Sequence, residues 1–424
     1  MNILWITNSK VKINEELKGS GGWLPNTLKL LRDGDLQHSI FNLFPSKENK
    51  VYVENDIKYI SMKCKNVASY RKKIVHEMYN IISKGIPNVI HIWGTETAFT
   101  LMSLDAIERC GLLENTVISI QGIITYIYET EKDIKIPLYY KLGWRPNDIY
   151  SRCGILARNN RDRRQSIYEI KAIKKAKNII GRTDLDKKFV ERISPECQYY
   201  YCGETLREPF YYTEKWKIEN CRRHSIFVSE AHYPLKGLHQ VFYAVKLLKL
   251  QYPDIELNIA GEDMFVKSKL GKIPWDLVPP FIKRTGYQAY LWKLARKYDI
   301  IDNINFTGRL NAEEMIQRYL SSNVFVNASI MENSSNSVAE ARILVVPCVT
   351  TFAGGMTSQI GLSDGMFCPW NEPWQLASVI ARVFDDDELA KRVSNMGTAC
   401  AKKSCSVKEN YYRLVDIYNK IILK

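Results

Sequence analysis

The stretch NVFVNASIMENSSNSVAEARILVVPCVTTFAGG, residues 323–355, reads as a complete strand–helix–strand unit. The apolar run ending at Ser329 has the look of a buried strand. SNSVAEARIL starts a helix on capping hydroxyls, and PCVTTF supplies the next strand. In such a unit the loop after the first strand lies at the carboxyl edge of the sheet, where open α/β sheets bind their ligands. Glu332 falls in that loop. Glu340 lies about two helical turns further on, roughly on the same side.

Working outward, apolar runs alternate with helical patterns over the whole chain, as expected for parallel α/β sheets. The first half offers NILWIT (2–7), HSIFNLF (38–44), NVIHIWG (88–94), TVISIQG (116–122) and NIIGRT (178–183) as strands. The second half offers SIFVSE (225–230), IELNIAG (255–261), NINFTG (303–308), NVFVNAS (323–329) and PCVTTF (347–352). Between them, GETLREPFYYTEKW reads as a linker. The expected architecture is two doubly wound, Rossmann-like domains, residues 1–207 and 208–405, facing each other across a cleft. Residues 406–424 form a terminal amphipathic helix packing back toward the first domain. Residues 264–286 are longer than an ordinary connection and read as an insertion near the site.

At 424 residues, 46% hydrophobic and 25% charged, the composition is that of a globular protein with ample core. No apolar run reaches the length of a membrane span. The first residues read as a strand rather than a secretion signal. Ten cysteines are scattered without a C-x-x-C pair and six histidines do not cluster with them, so reduced thiols in a cytoplasm are expected and a metal site is not. The formal charge of +14 is uneven. Residues 141–190 hold 14 Lys or Arg against 5 Asp or Glu, centred on Arg158, Arg161, Arg163 and Arg164. Such a segment is suited to an anionic surface, and a merely soluble basic face would look the same.

Three features bear on chemistry. Gly19, Gly21 and Gly22 precede a helical pattern after the first strand, where backbone amides can approach an anion. Ser334, Ser335, Asn336 and Ser337 bring hydroxyls and free amides to a helix start, with a carboxylate on either side. A nucleotide-sugar has the matching layout: sugar hydroxyls, two phosphates, ribose hydroxyls. A capped helix with two surface glutamates has the same spacing, so the surrounding motifs must decide.

In order, GSGGW, NVIHIWGTE, PLKGL, ENSSNSVAE and FAGG resemble the motifs of retaining glycosyltransferases of GT-B architecture, in the family 4 (glycosyl transferases group 1) type. The resemblance runs along nearly the whole chain and is strongest in the second half. It implies that Glu332 contacts the transferred sugar and Glu340 the ribose. Lys236 would neutralise the diphosphate, with Gly21 and Gly22 close by. It also implies a nucleotide-sugar co-substrate and no metal, because an ammonium and helix-terminal amides can stabilise the leaving diphosphate.

Two departures stand out. The family's phosphate-binding Arg, five residues before the Lys, is Ala231 here, and Arg182 is a candidate replacement from across the cleft. The family's first-domain His is matched by Gln121, which can bond a hydroxyl but cannot act as a base. His91 reads as a packed strand residue, and Glu96 as facing the acceptor. No carboxylate stands out as the nucleophile of a double displacement. The resemblance implies front-face substitution, in which the leaving phosphate takes the acceptor's proton.

The expectation is a metal-independent, cytoplasmic glycosyltransferase. It would move a sugar, UDP-linked on general frequency alone, to a glycan or lipid-linked hydroxyl in cell-surface polysaccharide assembly. It would be peripheral on the inner membrane face through residues 141–190 and would not bind nucleic acid. The rivals are a nucleotide-sugar epimerase of the same frame and a non-enzymatic basic lipid- or nucleic-acid-binding protein. The Asp184 and Asp186 pair reads as the acidic first turn of a helix rather than a metal-binding D-x-D.

Overall fold

The computed structural model describes residues 1–13, 23–34, 38–64, 66–85, 87–143, 148, 154–265 and 286–423. It contains two sheets. The first comprises β1 (Asn2–Ile6), β2 (Ser39–Ser46), β3 (Lys50–Glu54), β4 (Ile57–Lys63), β5 (Val89–Trp93), β6 (Thr116–Ser119), β7 (Asn178–Gly181) and β8 (Gln198–Tyr201). Their order is β3-β4-β2-β1-β5-β6-β7-β8. Every pairing is parallel except β3 with β4, a hairpin at the edge.

The second sheet comprises β9 (Arg222–Val228), β10 (Glu256–Ile259), β11 (Ile304–Phe306), β12 (Ser322–Asn327), β13 (Cys348–Thr351) and β14 (Met366–Cys368). The order β11-β10-β9-β12-β13-β14 is the doubly wound arrangement in which chain direction across the sheet reverses between β9 and β12. In the first sheet the reversal falls between β1 and β5. The chain is thus α/β, with two Rossmann-like units of the GT-B type. No helix among the described residues is long and apolar enough to cross a membrane.

The C-terminal helix, Val407–Ile422, returns to the first domain. Tyr411, Leu414, Tyr418 and Ile421 share a core cluster with Ile3, Trp5, Leu28 and Leu31. Trp5 Nε1 donates to the Tyr418 hydroxyl at 3.1 Å. His91 Nδ1 lies 2.6 Å from the same hydroxyl, and His91 Nε2 lies 2.7 Å from Ser119 Oγ. Burial lowers the pKa of His91 well below its ordinary value, so the ring is a neutral, fully bonded core group.

The stretch expected to be a linker is instead part of the second core. Leu206, Phe210 and Trp216 are buried there, and Trp216 Nε1 donates to Ser322 O at 2.8 Å. Ile134, Ile136 and Tyr140 of the first half join the same cluster. Hence the two halves share apolar surface.

One buried carboxylate braces the first domain. Glu169, on the helix Ile155–Lys175, accepts from Thr95 Oγ1 at 2.8 Å, Ile124 N at 3.1 Å, Thr125 N at 2.8 Å and Thr125 Oγ1 at 2.6 Å. Burial pushes its carboxyl up to about 7 despite these donors, with Glu96 nearby adding to the rise. An unfolded Glu titrates near ~4.3. Between those two values the folded state holds a proton the unfolded state has released, so this contribution to stability drains away as pH rises. Glu169→Gln, which resembles the protonated acid, lacks that slope. The melting-temperature difference between variant and wild type is expected to move in the variant's favour from pH 5 to pH 7. A constant difference over that range would contradict the assignment.

Candidate active site

Both switch-point strands of the second sheet deliver a charged residue to the cleft side. After β9 the chain makes a short turn, Pro234–Lys236, and then Gly237 with φ of 70°. A Cβ at Gly237 would stand 1.9 Å from Ala328 O, so only glycine lets this loop close on the one after β12. The two loops are joined by Ile330 N donating to Leu235 O at 2.7 Å. Lys236 Nζ consequently lies 2.9 Å from Glu332 Oε2 and 3.5 Å from Glu230 Oε2. Ser329 Oγ donates to the same Glu332 oxygen at 3.2 Å. Burial disfavours the ammonium, but Glu332, Tyr233 and Glu230 more than offset this and raise its pKa.

The FAGG turn fixes the other side of Glu332. Gly354 has φ of 54°, and a Cβ there would stand 2.2 Å from Glu332 O. Gly355 N donates to that oxygen at 2.9 Å.

The helix Asn336–Ile343 begins beneath this loop, capped by Ser335, whose hydroxyl accepts from Val338 N. Glu340 is buried on it. Arg207 donates to its Oε1 from Nε at 2.9 Å and Nη2 at 2.7 Å. Tyr319 Oη lies 3.4 Å from Oε2 and 3.0 Å from Ser337 O. Burial raises the pKa of Glu340, and Arg207 opposes the rise.

The first-domain wall meets the loop after Glu332 directly. Asn333 Oδ1 accepts from Thr183 Oγ1 at 2.8 Å, while its Nδ2 donates to Asp186 Oδ2 at 3.1 Å and to Gln121 O at 3.4 Å. Arg182 Nη2 donates to Gln121 O at 3.0 Å, and its Nη1 pairs with Glu204. Burial raises the pKa of Glu204, opposed by Arg182 and by hydrogen bonds from Asn336 and Gln121. Arg182, Lys187, Glu204, Ser334, Asn336 and Gln359 all line one interdomain cavity of about 460 Å³.

Of the sequence-derived residues, Lys236 meets Glu332 and Arg182 meets Gln121 O. Arg182, Ser334 and Asn336 line one cavity, and Glu340 lies on the helix that Ser335 caps. The Arg182 guanidinium is occupied by Glu204. Ala231 is buried and leaves its position uncharged. Gly21 and Gly22 lie outside the described residues, as does most of the 264–286 segment. Trp23, the next residue described, borders a small cavity shared with Gln121 and Arg182. Glu96 Oε1 accepts from Gly122 N at 2.7 Å, and burial raises its pKa.

The basic segment divides among several environments. Arg158 turns inward, 4.2 Å over the Tyr233 ring and paired with Glu131 and Asp162. Lys175 pairs with Asp105 and Glu108. Arg163, Arg164, Lys171 and Lys174 remain exposed. Among the described residues no cluster of three or more His, Cys, Asp or Glu could hold a metal ion.

The second domain matches the family described as glycosyl transferases group 1, over residues 213–399. YtcC of Bacillus subtilis (strain 168), a protein named as a glycosyltransferase, is 25% identical over 223 residues, which is 52% of this chain and 50% of that protein. The chain thus matches about half the length of that relative. Among solved structures, sucrose-phosphate synthase from Thermosynechococcus elongatus superposes with a TM-score of 0.72 at 14% identity, covering 100% of both chains. HepE from Anabaena, solved with UDP, gives 0.65 at 12% identity, covering 99% of this chain and 100% of that one. At these identities the likeness establishes the fold.

Four participants escaped sequence reading: Glu204, Arg207, Glu230 and Asn333. Glu204 and Arg207 sit in the stretch read as a linker, where nothing in the pattern marked them. Glu230 closes the run SIFVSE and Asn333 lies within ENSSNSVAE, and their place in the loops after β9 and β12 was the available signal.

Proposed function

We propose that this protein is a retaining glycosyltransferase that moves a sugar from a UDP-sugar to a hydroxyl of a glycan or lipid-linked acceptor in cell-surface polysaccharide synthesis. The observation that carries the reading is the Lys236–Glu332 pair, held at the switch point between β9 and β12 and backed by the start of the helix Asn336–Ile343. Breaking a glycosyl–phosphate bond places negative charge on the departing diphosphate. A fixed ammonium and helix-terminal amides stabilise that charge without a metal. Glu332 then accepts from sugar hydroxyls and Glu340 from ribose hydroxyls. On this reading Arg182 exchanges Glu204 for a phosphate when the donor enters, supplying the cation missing at Ala231. Gln121 bonds a sugar hydroxyl, and the leaving phosphate takes the acceptor's proton. Solved structures of HepE with UDP and with UDP-glucose, on the same fold, favour the uridine donor.

The exposed Arg163, Arg164, Lys171 and Lys174 support peripheral attachment to an anionic membrane. The test is a thermal-shift screen over UDP-, GDP- and ADP-sugars, followed by product analysis with lipid-linked acceptors and low-salt pelleting with anionic vesicles. A UDP-sugar should raise the melting temperature and yield an α-linked product from an α-linked donor. Stabilisation by no nucleotide-sugar would overturn the reading. Epimerised donor formed without acceptor would favour the epimerase instead. Absence of protein from the vesicle pellet would remove the membrane part alone.

A further inference from the structure

Glu340 is a carboxylate deep in the protein, and a buried carboxyl without a cation tends to take up a proton and turn one acceptor oxygen into a donor. Among the described residues its cationic partner is Arg207, which comes not from the sheet or its helices but from the crossing between the two domains. The guanidinium spends two N–H groups on one oxygen, Oε1, at 2.9 and 2.7 Å. Among the described residues the opposite oxygen, Oε2, has a single 3.4 Å contact, from Tyr319, whose one proton is better placed for Ser337 O at 3.0 Å. One oxygen is saturated and the other retains its capacity to accept. Arg207 is itself held in place, stacked 4.8 Å over the ring of buried Phe210.

We propose that Arg207 is a positioning residue for nucleoside recognition: it anchors Oε1 of Glu340 as a carboxylate and so reserves Oε2 for the ribose diol of the donor. The inference rests on the reading that Glu340 meets the ribose, and it adds a determinant from the interdomain crossing. A guanidinium suits this task better than an ammonium because its planar fork fixes the carboxylate's orientation as well as its charge.

The experiment measures dissociation constants of UDP and 2′-deoxy-UDP by calorimetry, with the guanosine and adenosine pairs run alongside, for wild type, Arg207→Met, Arg207→Lys and Glu340→Gln. Wild type should prefer the ribonucleotide by roughly tenfold or more, the range of a hydrogen bond to a charged group. Arg207→Met should reduce that preference to within about threefold, and Arg207→Lys should restore part of it. If Arg207→Met weakens UDP and 2′-deoxy-UDP equally, Arg207 is merely structural and the proposal falls. If Glu340→Gln abolishes the preference but Arg207→Met does not, Glu340 reads the ribose unaided and the proposal falls while the site reading stands. If wild type shows no preference, or binds no nucleoside diphosphate, the reading of Glu340 fails first. Should Arg207→Met not fold, Arg207→Lys decides alone, an unchanged preference counting against the orienting role.

Discussion

Lys236→Ala is expected to lower kcat for sugar transfer by about 10²–10³-fold, the loss seen when a single preorganised group facing developing negative charge is removed. The structure explains why the effect should be large. The ammonium is held by Glu332 at 2.9 Å and Glu230 at 3.5 Å, so it does not have to be reorganised as the diphosphate departs. Its raised pKa keeps it charged at any working pH. The substitution also leaves Glu230 and Glu332 without the cation between them, so part of the loss will be repulsion toward the donor. Lys236→Arg separates the two effects, since it retains the charge but not the point geometry. Initial rates with the identified donor, together with melting curves, are the check. A fall in kcat of less than about threefold in a folded Lys236→Ala variant would remove Lys236 from the charge-stabilising role.

Much of the architecture was legible because strands buried on both faces write themselves as continuous apolar runs. All ten strands expected from such runs are present. The four that were not foreseen, β3, β4, β8 and β14, lack that signature. β3 lies at an edge and is exposed at every position except half-buried Tyr52, and β8 reads QYYY with both ends exposed. The β3–β4 hairpin did carry a signal: Asn55 and Asp56 both have positive φ, the requirement of a tight two-residue turn. For the site, the loop after a strand and a capped helix start drew attention to Glu332 and Glu340, and the family resemblance to Lys236. Their partners were invisible because ion pairs such as Arg182 with Glu204 and Arg207 with Glu340 join residues far apart in sequence. No periodicity encodes such a meeting.

A physical regularity connects those pairs. Each charged residue assigned to the donor is matched by an opposite charge from this chain: Lys236 by Glu332 and Glu230, Arg182 by Glu204, Glu340 by Arg207. Buried charges without partners are costly, so a site built for a diphosphate needs internal counter-ions when no donor is present. Entry of the donor would then exchange one set of pairs for another, and affinity would reflect only the difference.

The crossing segment that supplies two of those counter-ions should also dominate stability, and Phe210→Ala is expected to cost about 3–5 kcal/mol. Phe210 is completely buried in the second core, edge-on to Tyr319 with ring centroids 6.1 Å apart. Alanine would leave a cavity against the helices packed on it, and it would remove the surface on which Arg207 rests. For a domain of this size the cost corresponds to a fall in melting temperature of roughly 10 °C. Tyr212, two residues on and 83% exposed, provides the contrast. Tyr212→Ala should change stability by no more than about 0.5 kcal/mol. Were the segment a loose tether, the two alanines would behave alike in urea or thermal unfolding. A large loss at Phe210 beside a negligible one at Tyr212 is the behaviour of a chain segment that is core on one side and surface on the other. In that case nucleoside binding through Arg207 is expected to weaken along with the fold, because the same ring supports both.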